Sequence, residues 1–205
     1  MFYVFYCIMI IPLLILYPVV IKGKGNVPKK GRLIITCNHQ TNHDGFILLA
    51  HGARRVKVMA KQELFKNKLL GWFMRCVGCY PVKRGENDIT SIKQTLKYLK
   101  EEKALLIFPE GTRVSEEEAH EAKNGTAMFA LRTKSPIIPC AFVKKPGFFR
   151  LNRLIYGEPY NLSEMEEFRD KPITKEILDD ASEVIIGKIN QIKEDYLNSR
   201  RKNVK

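Results

Sequence analysis

Residues 33–45 have the sequence LIITCNHQTNHDG, in which an apolar run gives way to a polar one. The first five residues, LIITC, are typical of a strand buried on both faces. The residues that follow include His39, His43 and Asp44, and their polar character is typical of a loop or of the start of a helix. We therefore predict a buried strand that presents polar side chains at its carboxyl end.

The same change of pattern recurs along the 205-residue chain, which is 45% apolar and long enough for one medium-sized core. Further strands are predicted at residues 56–60, 104–108, 137–143 and 153–156, and helices at 64–78, 88–102, 125–133 and about 175–200. This alternation predicts an α/β fold with a largely parallel or mixed sheet flanked by helices. Ligands bind such sheets at the loops beyond the carboxyl ends of the strands.

The first 21 residues carry no charge, and Lys22 then begins a basic run. Their length matches the roughly 20 residues of a membrane helix, although Pro12 and Pro18 also suit a segment that enters only one leaflet. We therefore expect two parts, a membrane-associated hydrophobic helix in residues 1–22 and an α/β domain in residues 23–205. The lysines after the apolar segment predict a location at the cytoplasmic face of the cell membrane.

Positive charge is concentrated in one part of the chain. The formal net charge is +13, and residues 22–84 hold fourteen Lys and Arg against two acidic residues. Such a surface attracts phosphate groups, whether of nucleic acid, anionic lipid or a small phosphorylated substrate. Regularly interleaved aromatic residues are absent from the basic stretch, and the apolar amino terminus would tether the chain to a bilayer. We therefore expect no nucleic-acid partner.

His39, His43 and Asp44 allow several kinds of site. A zinc protease helix would need glutamate where Gln40 stands, and no third ligand is evident, so we expect no metal. The four residues between His39 and Asp44 suit a general base whose carboxylate partner fixes the imidazole tautomer. In the alternative, Asp44 only caps the following helix and His39 bonds the backbone. The local sequence does not decide between the last two.

Two further strand ends carry cations. FPEGTR, residues 108–113, follows a predicted strand with a glycine, a hydroxyl and a guanidinium, which suits a phosphate group. PVKRG, residues 81–85, delivers Lys83 and Arg84 after a short strand-like run. The alternative for FPEGTR is a surface turn with an ordinary ion pair between Glu110 and Arg113.

Four segments, in this order, resemble the conserved blocks of the glycerolipid acyltransferases. They are NHQTNHD (38–44), GCYPVKRG (78–85), FPEGTR (108–113) and IIPCA (137–141). The resemblance extends from about residue 25 to residue 142. It is greatest for the bacterial 1-acyl-sn-glycerol-3-phosphate acyltransferases, which make phosphatidic acid for phospholipid synthesis.

The resemblance also implies roles for individual residues. His39 would be the general base, Asp44 would orient it, and the acyl group would pass directly from donor to acceptor without metal or cofactor. Acyl-CoA or acyl-ACP would be the co-substrate, and membrane lipid and lysophosphatidic acid the other partners. The glycerol phosphate would be bound by Lys61, Arg84, Glu110, Gly111, Thr112 and Arg113.

The chain departs from the family pattern at Lys83, which replaces an acidic residue, and at Val114, which replaces a serine. Both positions flank the implied phosphate site, so the preferred headgroup can differ from that of the family. Two alternatives remain open. One is an acyltransferase for another acceptor, glycerol 3-phosphate or another lysophospholipid, and the other is a non-catalytic protein that binds anionic lipid.

Overall fold

A seven-stranded sheet organises the computed structural model, which describes residues 10–83, 88–109 and 116–202. Its order is β1-β7-β6-β2-β5-β3-β4. The strands are β1 (Val19–Lys22), β2 (Leu33–Cys37), β3 (Val56–Lys61), β4 (Cys79–Val82), β5 (Ala104–Ile107), β6 (Ile137–Phe142) and β7 (Asn152–Tyr156).

Strand direction defines two edges of this sheet. The five strands from β6 to β4 are parallel, whereas β7 is antiparallel to β6, and β1 is parallel to β7. The carboxyl ends of the five parallel strands therefore share one edge with the starts of β1 and β7, and we call it the front edge. The opposite edge is the rear edge. The predicted mixed α/β sheet is confirmed.

Helices cover both faces of the sheet. Residues 10–16 are helical and form α1. The others are α2 (Asp44–His51), α3 (Lys68–Cys76), α4 (Ile89–Lys100), α5 (Glu116–Thr133) and α6 (Lys175–Lys202). One core packs α2 and α3 against Leu33 and Ile35 of β2, and the other packs α4, α5 and α6 against Ile34. This alternation explains the continuous apolar run of β2, because the strand is buried on both faces.

The helix predicted over residues 64–78 is divided into two. Residues Gln62–Phe65 form a 3-10 turn, and α3 begins only after Asn67. The Asn67 side chain accepts hydrogen bonds from the backbone N–H groups of Leu69 and Leu70 at 3.0 and 3.1 Å. An asparagine at this position satisfies helix-start donors and therefore favours a new helix over continuation of the preceding turn.

The end of the apolar amino-terminal segment belongs to the sheet. Pro18 follows α1, and the β-branched residues after it form β1, which pairs with β7. The sheet thus begins inside the segment predicted as membrane-associated. Among the described residues, no helix combines the length and apolar character needed to cross a bilayer.

Candidate active site

The turn between β2 and α2 is organised around the buried carboxylate of Asp44. Its Oδ2 accepts hydrogen bonds from the backbone N–H groups of Gln40 and Thr41 at 2.5 and 2.6 Å. The Thr41 hydroxyl donates to Oδ1 at 2.5 Å, and His39 Nδ1 lies 3.0 Å from Oδ2. Asp44 is the first residue of α2, but its side chain turns back into the preceding turn. The alternative in which it caps the helix is therefore wrong.

These hydrogen bonds determine the charge of Asp44. Burial raises the pKa of the carboxyl, but the bonds from His39, Thr41 and Gln40 outweigh burial, so the pKa is lowered from its ordinary value of 3.8. The side chain is fully buried and ionised at neutral pH. Because a carboxylate can only accept hydrogen bonds, the proton between the two side chains is on His39 Nδ1.

The imidazole of His39 is held on two sides. Asp44 lies at Nδ1, and the ring stacks on Phe108 with centroids 4.5 Å apart and planes inclined by 28°. Phe108 directly follows β5, which pairs with β2 in the sheet. One fifth of the His39 side chain is exposed. With Nδ1 protonated, a neutral imidazole has its lone pair on Nε2, so the ring can act there as a general base.

Asn38 joins the turn to the neighbouring strand β6. Its Nδ2 donates to the carbonyl oxygen of Phe142 at 3.0 Å, and its Oδ1 accepts from the Phe142 N–H at 2.8 Å. The side chain is 4% exposed, so both bonds are shielded from water. Asn38 immediately precedes His39, and it therefore fixes the point from which the turn leaves the sheet. Sequence analysis did not identify this contact, because its partner is 104 residues away.

Replacement of Asn38 with alanine is expected to lower the free energy of unfolding by about 2–3 kcal/mol, because the buried N–H of Phe142 loses its partner and its carbonyl oxygen keeps only the longer 3.5 Å bond from Gln40. Denaturant unfolding would measure the change. Asn161→Ala is a suitable control, since Asn161 is more exposed and caps only a short 3-10 turn. Equal losses in the two variants would contradict a special role for the Asn38 bridge.

His43 has a different partner from His39. Its Nδ1 lies 2.8 Å from the hydroxyl of Tyr17, and its ring contacts Phe148 with centroids 5.7 Å apart. Tyr17 directly follows α1, so His43 links the turn between β2 and α2 to the amino-terminal segment. The described residues contain no group of three or more side chains that could hold a metal ion.

Of the other predicted site residues, the structure describes only Lys61. Lys61 ends β3 at the front edge and is exposed. Its strand is two positions from β2, about 10 Å along the sheet. Lys57, four residues earlier in β3, places its ammonium over the ring of Tyr98 in α4. Arg84, Glu110, Gly111, Thr112 and Arg113 lie outside the described residues.

The basic excess of residues 22–84 does not form one surface. Seven of the fourteen cations lie at the rear edge, at the end of β1 or in the segments that lead into β2 and β3, namely Lys22, Lys24, Lys29, Lys30, Arg32, Arg54 and Arg55. Arg54 there donates to the carbonyl oxygens of Pro28 and Gly31. Proximity in sequence therefore overstated the positive charge near His39, because a chain that runs through a sheet alternates between its two edges.

A family model and similar curated proteins identify the same family for this chain. A family model described as Acyltransferase matches residues 18–143. The 1-acyl-sn-glycerol-3-phosphate acyltransferase of Bacillus subtilis is 33% identical over 73% of this chain and 77% of its own length. The protein of the same name from Streptococcus pneumoniae is 29% identical over 68% of this chain, which spans about half (54%) of that relative.

One solved structure has a similar fold. It is the crystal structure of the 1-acyl-sn-glycerophosphate acyltransferase PlsC from Thermotoga maritima, with a TM-score of 0.62 and 22% sequence identity. The match covers 85% of this chain and 72% of that one. At this level of identity the likeness concerns the fold alone.

Proposed function

The chain belongs to the acyltransferase family, and on that premise we propose that it transfers a fatty acyl group to the sn-2 hydroxyl of 1-acyl-glycerol-3-phosphate. The product is phosphatidic acid, for phospholipid synthesis. The donor is a thioester, acyl-CoA or acyl-ACP. The observation that carries the proposal is the 3.0 Å contact between His39 and the buried Asp44 at the front edge. The names of the two bacterial relatives support the choice of acceptor.

In the proposed reaction His39 removes the proton of the acceptor hydroxyl at Nε2. The resulting oxygen attacks the thioester carbonyl carbon, a C–O bond forms, and the C–S bond breaks as the tetrahedral intermediate collapses. The imidazolium then returns its proton to the thiolate that leaves. Asp44 stabilises the imidazolium through the Nδ1 hydrogen bond while positive charge is present on the ring. No acyl-enzyme, metal or cofactor is required.

We further propose that the acceptor phosphate is bound by the cations at the front edge, Lys61 and Arg84, together with residues 110–113. Phe108, which begins FPEGTR, stacks on His39, so the start of that segment adjoins the base. The acceptor is a membrane lipid, and we place the protein at the cytoplasmic face of the cell membrane. In α1, Ile11 and Ile15 are 50% and 65% exposed, which suits contact with lipid.

The proposed function is tested by the lipid product. Purified full-length protein is incubated with 1-acyl-glycerol-3-phosphate and either acyl-CoA or acyl-ACP, and the product is identified by mass spectrometry. Parallel reactions contain glycerol 3-phosphate or a neutral lysophospholipid. Phosphatidic acid as the main product is expected. Acylation of another acceptor in its place would overturn the assignment of substrate, and absence of any acylated product would overturn the enzymatic role.

Lys61→Met removes a cation and keeps the length of the side chain. We expect the KM for the phosphorylated acceptor to rise roughly three- to tenfold, because one exposed phosphate contact is lost, while kcat and the KM for the donor change little. Steady-state kinetics with each substrate varied in turn would measure this. Lys57→Met is the matched control on the same strand, and an equal effect there would contradict phosphate binding by Lys61.

A further inference from the structure

The loop between β6 and β7 exposes apolar residues at the front edge. We call residues 143–151, VKKPGFFRL, the aromatic loop. Phe148, Phe149 and Leu151 are 53%, 74% and 55% exposed. Lys144, Lys145 and Arg150 beside them are also exposed, and the loop has no acidic residue. Large apolar tips next to cations are unusual on a surface that only water contacts.

The backbone of this loop is held in place. Asn152 accepts a hydrogen bond from the N–H of Gly147 at 3.0 Å and donates to its carbonyl oxygen at 3.2 Å. The N–H of Phe149 donates to the carbonyl oxygen of Leu16 in α1 at 2.8 Å. The exposure of the apolar side chains is therefore a consequence of a fixed loop conformation.

The backbone conformation at Phe149 is unfavourable for a phenylalanine. Its φ is +52°, a left-handed conformation in which an asparagine or a glycine is less strained than an aromatic residue. Its side chain is also the most exposed of the three. Neither burial nor backbone preference explains a phenylalanine here, which points to a contact outside the folded chain.

We propose that the aromatic loop docks the protein on an anionic phospholipid bilayer, with Phe149 and Leu151 inserted at the level of the headgroups. Aromatic residues favour that interfacial region, and lysine and arginine attract anionic headgroups. The loop adjoins the end of α1, since the N–H of Phe149 donates to the carbonyl oxygen of Leu16, and Ile15 beside it is 65% exposed. An acidic protein surface would match the cations but would leave the adjoining apolar tips and the exposed side of α1 uncovered.

Docking through this loop would bring the bilayer to the catalytic turn. Phe148 contacts His43, which is four residues from His39 in the same turn. An acceptor lipid could then present its glycerol hydroxyl near the base without leaving the membrane completely. This part of the inference rests on the proposed function, whereas docking itself does not.

The test is flotation of the full-length protein with vesicles of phosphatidylglycerol and phosphatidylcholine, and with phosphatidylcholine alone. The double variant Phe149→Asn, Leu151→Ser is expected to bind the anionic vesicles about tenfold or more weakly, because two large apolar contacts are lost. Its thermal stability should equal or exceed that of the wild type, because asparagine relieves the strained φ. Unchanged vesicle binding would overturn the proposal.

The contribution of the loop's positive charge to vesicle binding is tested with two matched double variants. Lys144→Glu, Lys145→Glu should weaken binding to anionic vesicles much more than Lys29→Glu, Lys30→Glu, which makes the same change of charge at the rear edge. Equal weakening by both pairs would show that only net charge matters and would overturn the assignment to the loop. Self-association or binding of acyl carrier protein that depends on the loop, with vesicle binding unaffected, would also overturn it.

A soluble short-chain acceptor separates this inference from the proposed function. The Phe149→Asn, Leu151→Ser variant should acylate soluble 1-acyl-glycerol-3-phosphate at the wild-type rate and should lose activity only when the acceptor is in vesicles. Inactivity of the wild-type protein toward both forms would overturn the proposed function and leave the flotation result standing. Equal loss of activity on both forms in the variant would contradict a docking role.

Discussion

Replacing His39 with alanine is expected to lower the rate of acyl transfer by about 10²- to 10⁴-fold, which is the usual contribution of a general base. The hydroxyl of the acceptor is a poor nucleophile until its proton is removed, and Nε2 of His39 is the group that we propose removes it. The loss should appear in kcat with either thioester donor, since both donors need the same attacking oxygen. Product formation followed by mass spectrometry, with purified protein at saturating substrate, would measure it.

The second histidine of the turn provides the control. His43→Gln removes the same type of side chain four residues away, but its Nδ1 faces the hydroxyl of Tyr17 rather than Asp44. We expect a small loss of stability and a far smaller loss of kcat than in His39→Ala. Comparable kcat values for the two variants, or wild-type activity in His39→Ala, would show that His39 is not the base.

The amino-acid sequence was sufficient for the parts of this site that are local. The apolar run before Cys37 predicts β2, and the structure has this strand with the predicted bounds. The spacing of His39 and Asp44 allowed a hydrogen bond between them because only four residues intervene in one turn. The structure contains that bond, together with the backbone bonds that make Asp44 the centre of the turn.

Contacts between distant segments could not be obtained in this way. The bridge from Asn38 to Phe142 requires β2 and β6 to be neighbours, and the stacking of Phe108 on His39 requires β5 to be the neighbour on the other side. Strand order is a property of the whole chain, and the pattern of any one segment does not contain it. The same limit explains why cations close in sequence were expected at one site although they lie at both edges of the sheet.

β1 shows a conflict between two local signals. The segment before Lys22 is uncharged and about as long as a membrane helix, which predicted a helix up to that residue. Pro18 and the β-branched residues after it favour an extended chain. These residues pair with β7, whose backbone hydrogen-bonding groups on that side would otherwise have no strand as partner. Length and hydrophobicity describe the segment as a whole, so they did not reveal that its last four residues form a strand.

Replacing Asp44 with asparagine is expected to lower kcat by roughly 10²- to 10⁴-fold while leaving the fold of the turn in place. Oδ2 receives all three N–H donors, from His39, Gln40 and Thr41, and an amide oxygen can accept them in the same position. The amide nitrogen would then face the Thr41 hydroxyl, which can accept as well as donate. The substitution thus removes the charge and keeps the geometry, so the imidazolium loses its stabilising partner.

The dependence of stability on pH tests whether this charge exists in the native protein. The pKa of Asp44 is lowered in the folded state, so the carboxylate stabilises the native protein above its ordinary pKa of 3.8. That stabilisation is lost as the pH falls below 3.8 through the lower native pKa. The difference in unfolding free energy between the wild type and Asp44→Asn should therefore be about 1–3 kcal/mol at neutral pH and should shrink in acid. A difference that stays constant with pH would mean that the native pKa of Asp44 is not lowered. A difference that grows in acid would mean that the carboxyl is neutral in the native protein, and a neutral carboxyl could not stabilise an imidazolium on His39.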